Sequence, residues 1–165
     1  MKKVVALVLA LAFVLGLVGC SQDRETDQSD LAVYSFCGEN AQFQIINGII
    51  VISADEEVFY GGDLEVIADE YFSDIASYST TFYTLTNGEE RTIMSNSVVD
   101  QTGGSINISG DLGKMCGRDI IIGSRIEIAN ELKNNLYFEL NTKNLDGEQN
   151  TYQVQLTVAE ITDTK

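Results

Sequence analysis

From Leu31 onward, apolar and polar residues mostly alternate, the period of strands with one face buried. Leu136, Phe138 and Leu140 alternate with Tyr137, Glu139 and Asn141, and Tyr152, Val154, Leu156 and Val158 alternate with Gln153, Gln155, Thr157 and Ala159. Asp146-Gly147 lies between these two runs, so residues 135–160 are expected to form a hairpin. Phe43–Ile46 meets Ile49–Ile52 across Asn47-Gly48, a dipeptide suited to a type I′ turn because both positions need positive φ. Asn87-Gly88 repeats the signal between the long runs Ile75–Thr86 and Arg91–Val99. Further strands are expected at Val33–Cys37, Leu64–Ala68, Ser105–Ser109, Ile120–Ile122 and Arg125–Ile128. An apolar spacing of three to four can be drawn only through Leu64–Asp74 and Ile126–Asn134, so helix is scarce.

About ten short strands punctuated by turn signals predict an all-β chain folded as an antiparallel sandwich or barrel, the sandwich being preferred. The abundance of Val, Ile, Thr, Tyr and Phe agrees. An immunoglobulin-like arrangement is the leading expectation, although the chain has no Trp for the Cys…Trp…Cys core of that fold. Residues 31–165 are expected to form a single domain.

The first nineteen residues read as a segment outside that domain. Lys2 and Lys3 precede Val4–Val18, which is almost wholly Val, Leu, Ala and Phe. About fifteen apolar residues is short of the ~20 a membrane-spanning helix needs. The run ends in Leu17-Val18-Gly19-Cys20. Charge, apolar run and cysteine in this order closely resemble the lipobox signal peptide of bacterial lipoproteins. The resemblance covers residues 1–20 and implies that Cys20 is modified with diacylglycerol through its sulfur and becomes the first mature residue after cleavage. Two acyl chains give stable membrane attachment where one is marginal. Ser21–Asp30 contains no apolar residue and reads as a solvated acidic tether, reaching at most ~35 Å when extended. The domain is therefore expected on the extracytoplasmic face of the cell membrane, held close to it by lipid.

Composition narrows the chemistry. Across 165 residues there are 25 acidic and 10 basic side chains, a net charge of −15, with no His, Pro or Trp. Loss of Lys2 and Lys3 with the signal would leave 25 acids against 8 bases, a net of −17. Such a chain is unsuited to nucleic acid and is repelled by anionic headgroups. The lack of His removes Ser-His-Asp and Cys-His chemistry and His-containing metal sites. No GxSxG, SxxK or phosphate-loop spacing occurs, and no Asp-x-Asp-x-Asp ladder suits calcium. No cofactor and no metal are expected. An enzyme would have to rely on paired carboxylates, whose separation the sequence does not reveal.

Cys37 and Cys116 each precede a glycine at an expected strand end. Export would permit their oxidation, and a bridge would close a loop of about 79 residues, worth about 4.5 kcal/mol in the chain-entropy model. The alternative is two unlinked thiols. Aromatics cluster in two loop-like stretches, Phe59-Tyr60-Gly61-Gly62 and Tyr71-Phe72, each flanked by acids. Tyr60, Tyr71 and Phe72 are thus candidates for a ligand surface that stacks on sugar rings. The bland alternative is that the rings plug the end of a sandwich while the acids stay hydrated.

Phe36-Cys37-Gly38-Glu39-Asn40, followed by Ile49–Ile52 and Gly61-Gly62-Asp63-Leu64, resembles small uncharacterised β-sandwich lipoproteins of Gram-positive bacteria. Cys37 stands where Ser is expected in that pattern, which leaves open whether a bridge is a family feature. Taken together, the residues suggest a membrane-anchored, non-enzymatic binding or interaction module that meets a protein or glycan partner at the cell surface. The alternatives are a structural envelope protein with no soluble ligand, or a carbohydrate-binding or carbohydrate-hydrolysing accessory.

Overall fold

The computed structural model describes residues 31–121 and 125–161. The segments expected to be signal and tether, with Cys20 between them, lie outside the described residues, as does Ile122. The expected all-β sandwich forms, from two antiparallel sheets and, among the described residues, one α-helix. The immunoglobulin-like arrangement goes beyond what the strand order shows.

In chain order the strands are β1 (Ala32–Glu39), β2 (Phe43–Ile52), β3 (Glu57–Tyr60), β4 (Asp63–Val66), β5 (Ile75–Thr86) and β6 (Glu89–Val99). Then follow β7 (Gly110–Asp111), β8 (Lys114–Gly117), helix α1 (Arg125–Asn135), β9 (Leu136–Asn144), β10 (Gln149–Gln155) and β11 (Thr157–Glu160). The first sheet runs β11-β1-β2-β3-β8, with β4 pairing both β2 and β7. The second runs β10-β9-β5-β6.

The first sheet is creased. β3 and β4 pair with β2 in one continuous register, Ile49 opposite Tyr60 and Ile46 opposite Asp63, so Asn47-Gly48 faces Gly61-Gly62. β8 and β7 continue that register, Tyr60 opposite Lys114 and Asp63 opposite Asp111, so Gly61-Gly62 faces Leu112-Gly113. The N–H of Gly61 donates to the carbonyl of Gly113, and that of Leu112 to the carbonyl of Gly62, both at 2.9 Å. Asn47, Gly62 and Gly113 are all left-handed, with φ of 59°, 76° and 94°. On the other side of β2, the register with β1 slips by one residue between Phe36 and Gly38. One fold line thus crosses four neighbouring chain segments.

The crease seats aromatic rings. A Cβ on Gly48 would lie 2.2 Å from the Phe36 ring, and one on Gly61 would lie 2.9 Å from Met94 Cε and 3.0 Å from the Phe82 ring. A Cβ on Gly62 would meet the Ile46 carbonyl oxygen at 2.1 Å. Phe36 stacks on Phe59 at 5.4 Å, and Phe59 meets Phe82 of the second sheet edge-on at 5.1 Å. Phe138 continues the chain of rings, 4.9 Å from Phe82 and 5.7 Å from Phe43.

These facts correct the hairpin expected at Asn47-Gly48. Only Asn47 takes positive φ there, which kinks a continuous ten-residue strand instead of reversing it. Reversal comes later, where Ser53 and Glu56 close a turn between β2 and β3. At Asn87-Gly88 both residues take positive φ, 55° and 82°, and the expected hairpin of β5 and β6 forms. The hairpin around Asp146-Gly147 forms between β9 and β10, but the chain then leaves the second sheet at Leu156 and enters the first as β11. Leu156 is buried at that crossing, its N–H donating to the Leu136 carbonyl at 2.9 Å.

Other expectations shift too. Ser105–Ser109 is irregular, though Ile106 N–H bonds to the Ile75 carbonyl and Ile108 is buried. Arg125–Ile128 is helical, not extended, because Ile128 and Leu132 both bury at a spacing of four. Helix α1 packs on β5, β9 and β11. Leu64–Asp74 divides into β4 and a single 3-10 turn at Asp69–Tyr71. Among the described residues, no helix is long and apolar enough to cross a membrane.

Two stability predictions follow from this packing. Gly48→Ala should cost about 1–3 kcal/mol by overpacking against Phe36. In that background Phe36→Leu should cost less than it does alone, measured by urea unfolding of all four members of the cycle. Thr142 is buried, and its hydroxyl lacks a hydrogen-bond partner. Thr142→Val should therefore raise stability by about 1 kcal/mol in the same assay.

Candidate functional site

In the second sheet, alternation along β5 points Thr80 and Phe82 into the core and leaves Ser77, Ser79 and Thr81 on the outer face. Cross-strand registers then assemble three outward rows: Val99-Ser77-Lys143-Gln149, Ser97-Ser79-Asn141-Thr151 and Ser95-Thr81-Glu139-Gln153. A fourth row, Thr92-Tyr83-Tyr137-Gln155, closes the face at the end where β9 begins. Successive rows are two residues apart, or ~6.8 Å, except on β6, where a register shift puts Ser95 and Thr92 three residues apart.

The first two rows bound a depression of about 420 Å³. Serines occupy its middle strand, β5, so the floor is largely backbone. The walls are Ser97 and Val99 on one side and Asn141, Lys143, Gln149 and Thr151 on the other.

The third row is a tied network. Asn141 Nδ2 and Gln153 Nε2 donate to the two carboxylate oxygens of Glu139 at 2.6 and 2.7 Å. Asn141 in turn accepts from Thr151 Oγ1 at 2.6 Å, and the Thr81 and Ser95 hydroxyls lie 3.2 Å apart. These bonds hold the Asn141 amide and Thr151 hydroxyl in fixed orientations beside the depression. Tyr83 and Tyr137 stack beyond, 5.5 Å apart and 16° from parallel. Tyr83 is buried, and that burial pushes its phenol above its ordinary pKa, with Glu90, Glu139 and Tyr137 adding to the shift.

The three aromatics expected to form one ligand surface do not come together. Phe72 is buried, packed on Tyr152 at 5.3 Å and Phe43 at 6.5 Å, so it plugs the core. Tyr71 is 51% exposed and lines a separate depression of about 410 Å³ with Glu70, Asp74, Glu148 and Tyr152. Tyr60 belongs to β3, on the outer face of the first sheet between Ile49 and Lys114. Its stretch, read from sequence as loop-like, is an interior strand with β2 and β8 on either side.

Nor do the cysteines meet. Cys37 and Cys116 are free and exposed. They lie on β1 and β8, three strand spacings or ~14 Å apart at least, against the ~4.4–6.8 Å between Cα atoms that a disulfide spans. Among the described residues, no three His, Cys, Asp or Glu side chains gather where a metal ion would be held.

Sequence reading missed the serine-lined face. Its signal was present in the alternating small polar residues of Ile75–Thr86, but which residues stand beside them depends on register. The Tyr60 phenol is pushed above its ordinary pKa by partial burial, then by Asp111 and Asp63. A raised folded-state value leaves stability intact below the phenol's ordinary ~10 and erodes it as pH climbs through the folded value. In spectrophotometric alkaline titration, Asp111→Asn should bring one tyrosine transition down toward pH 10, and Tyr60→Phe should remove that same transition.

Compared with known proteins, the chain matches no family model, no curated protein and no solved structure.

Proposed function

We propose that this chain is a lipid-anchored extracytoplasmic binding module, held at the cell membrane through Cys20 and presenting the outer face of its second sheet to a partner. The observation that carries the proposal is the depression on that face. Hydroxyl and amide groups from four strands line it, and neighbouring bonds hold two of them, Asn141 and Thr151, in place. The anchor rests on the lipobox resemblance and the tether, which keeps the domain within ~35 Å of Cys20. Binding is favoured over hydrolysis because Glu139 is the one carboxylate on the four rows, and amide donors occupy both of its oxygens. A glycoside hydrolase of the usual kind needs two free carboxyl groups across the scissile bond.

Two measurements test the proposal in the native host. Cys20→Ser should abolish acyl labelling and leave a larger chain that still carries Val4–Val18; labelling that survives the substitution, or a wild-type chain that takes up no label, would overturn the anchor. A photo-crosslinking side chain at Ser79 should give light-dependent adducts in intact cells, whereas the same group at Glu65 on the other sheet should give none. Equal yields, or none at Ser79, would remove the binding face.

A further inference from the structure

The chemistry of the second sheet's outer face narrows what it binds. Building on the binding reading above, we infer that the depression takes a neutral polyhydroxylated chain, an uncharged glycan, laid across β5 between the β6 wall and the β9–β10 wall.

Charge comes first. The rows hold one cation, Lys143, and one carboxylate, Glu139, already paired with two amides. The chain as a whole carries −15. A polyanion would meet long-range repulsion with a single lysine to offset it, and a polycation would find no free carboxylate on the face.

Hydrogen-bonding capacity comes second. Ser77, Ser79 and Ser97 offer hydroxyls that both donate and accept, Thr151, whose proton goes to Asn141, still accepts, and Asn141 and Gln149 offer amides that donate and accept. Sugar hydroxyls also both donate and accept, so each can match these groups without leaving an unpaired partner. An apolar ligand would leave them unsatisfied, at about 1–3 kcal/mol for each one desolvated. An extended peptide would draw its specificity from side-chain pockets. Here the lining offers one aliphatic residue, Val99, and one aromatic, Tyr78, the rest being serine, threonine, amides and Lys143.

Shape comes third. The depression is open and crosses the strands, and beyond it the polar face continues to the stacked Tyr83–Tyr137 pair. Tyr83 is buried, so the part-exposed Tyr137 is the ring left at that end to meet the C–H side of a sugar.

Affinity electrophoresis of the detergent-solubilised, lipidated full chain tests the inference. The gels would contain a neutral polysaccharide (galactomannan, xyloglucan, mixed-linkage glucan or dextran) or the polyanion polygalacturonate. Retardation is expected in at least one neutral gel and none in polygalacturonate. Ser79→Arg and Ser97→Arg fill the depression from two different strands and should each remove the retardation. Both should keep the wild-type urea midpoint, and the retardation of each is read against its own mobility in a blank gel, which the added positive charge lowers slightly. Asn141→Ala should weaken retardation roughly tenfold, the equivalent of one or two neutral hydrogen bonds. Mobility unchanged in every neutral gel, or retardation that survives both arginines, overturns the inference. If Ser79 crosslinks a polypeptide in cells while all neutral gels stay silent, the ligand class is wrong and the binding face stands. If Ser79 crosslinks nothing, the binding face itself falls.

Discussion

The fit of the Phe36 ring against the bare backbone of Gly48 organises this protein. A side chain as small as a methyl at that point would overlap the ring. Because the site is empty, the first sheet folds along one line through Asn47-Gly48, Gly61-Gly62 and Leu112-Gly113. Each partner segment bends where its neighbour bends, so the ladder register continues across the crease and the backbone groups at the bend still find one another. The glycines serve a cavity shaped for rings.

That cavity reaches across the sandwich. Phe82 from the second sheet enters it and touches Phe36, Phe59 and Phe138. Side chains on a strand alternate strictly, so anchoring Phe82 inward turns Thr81, Ser79 and Ser77 outward. The polar face proposed to bind is thus coupled to the crease by the period of β5. A shift of one residue would bury the serines and expose the ring. The strand admits one register because the apolar side has only one place to go.

Much of the fold could be read from the chain. The period of two announced most strands, and Asn87-Gly88 announced its hairpin. Asn47-Gly48 has the same two residues and a different outcome, because a turn needs both in the left-handed region and tertiary contacts allow only one. Ser105–Ser109 and Arg125–Ile128 misled for a related reason: short apolar spacings fit more than one backbone until the core selects among them. Two of the three aromatics singled out from sequence sit near acids and solvent, yet on different surfaces. The third, Phe72, serves the core.

By itself the sequence determined the class of fold, the acidic surface, the chemistry unavailable without histidine, and the resemblance of its first twenty residues to a lipoprotein signal. Those properties depend on composition and on neighbours a few positions apart. Tertiary structure decided where the first sheet creases, that Cys37 and Cys116 stand too far apart to join, and that serines and amides from four strands line one depression. Each of those depends on register between segments distant in the chain, and register is set by which rings fit opposite which glycines.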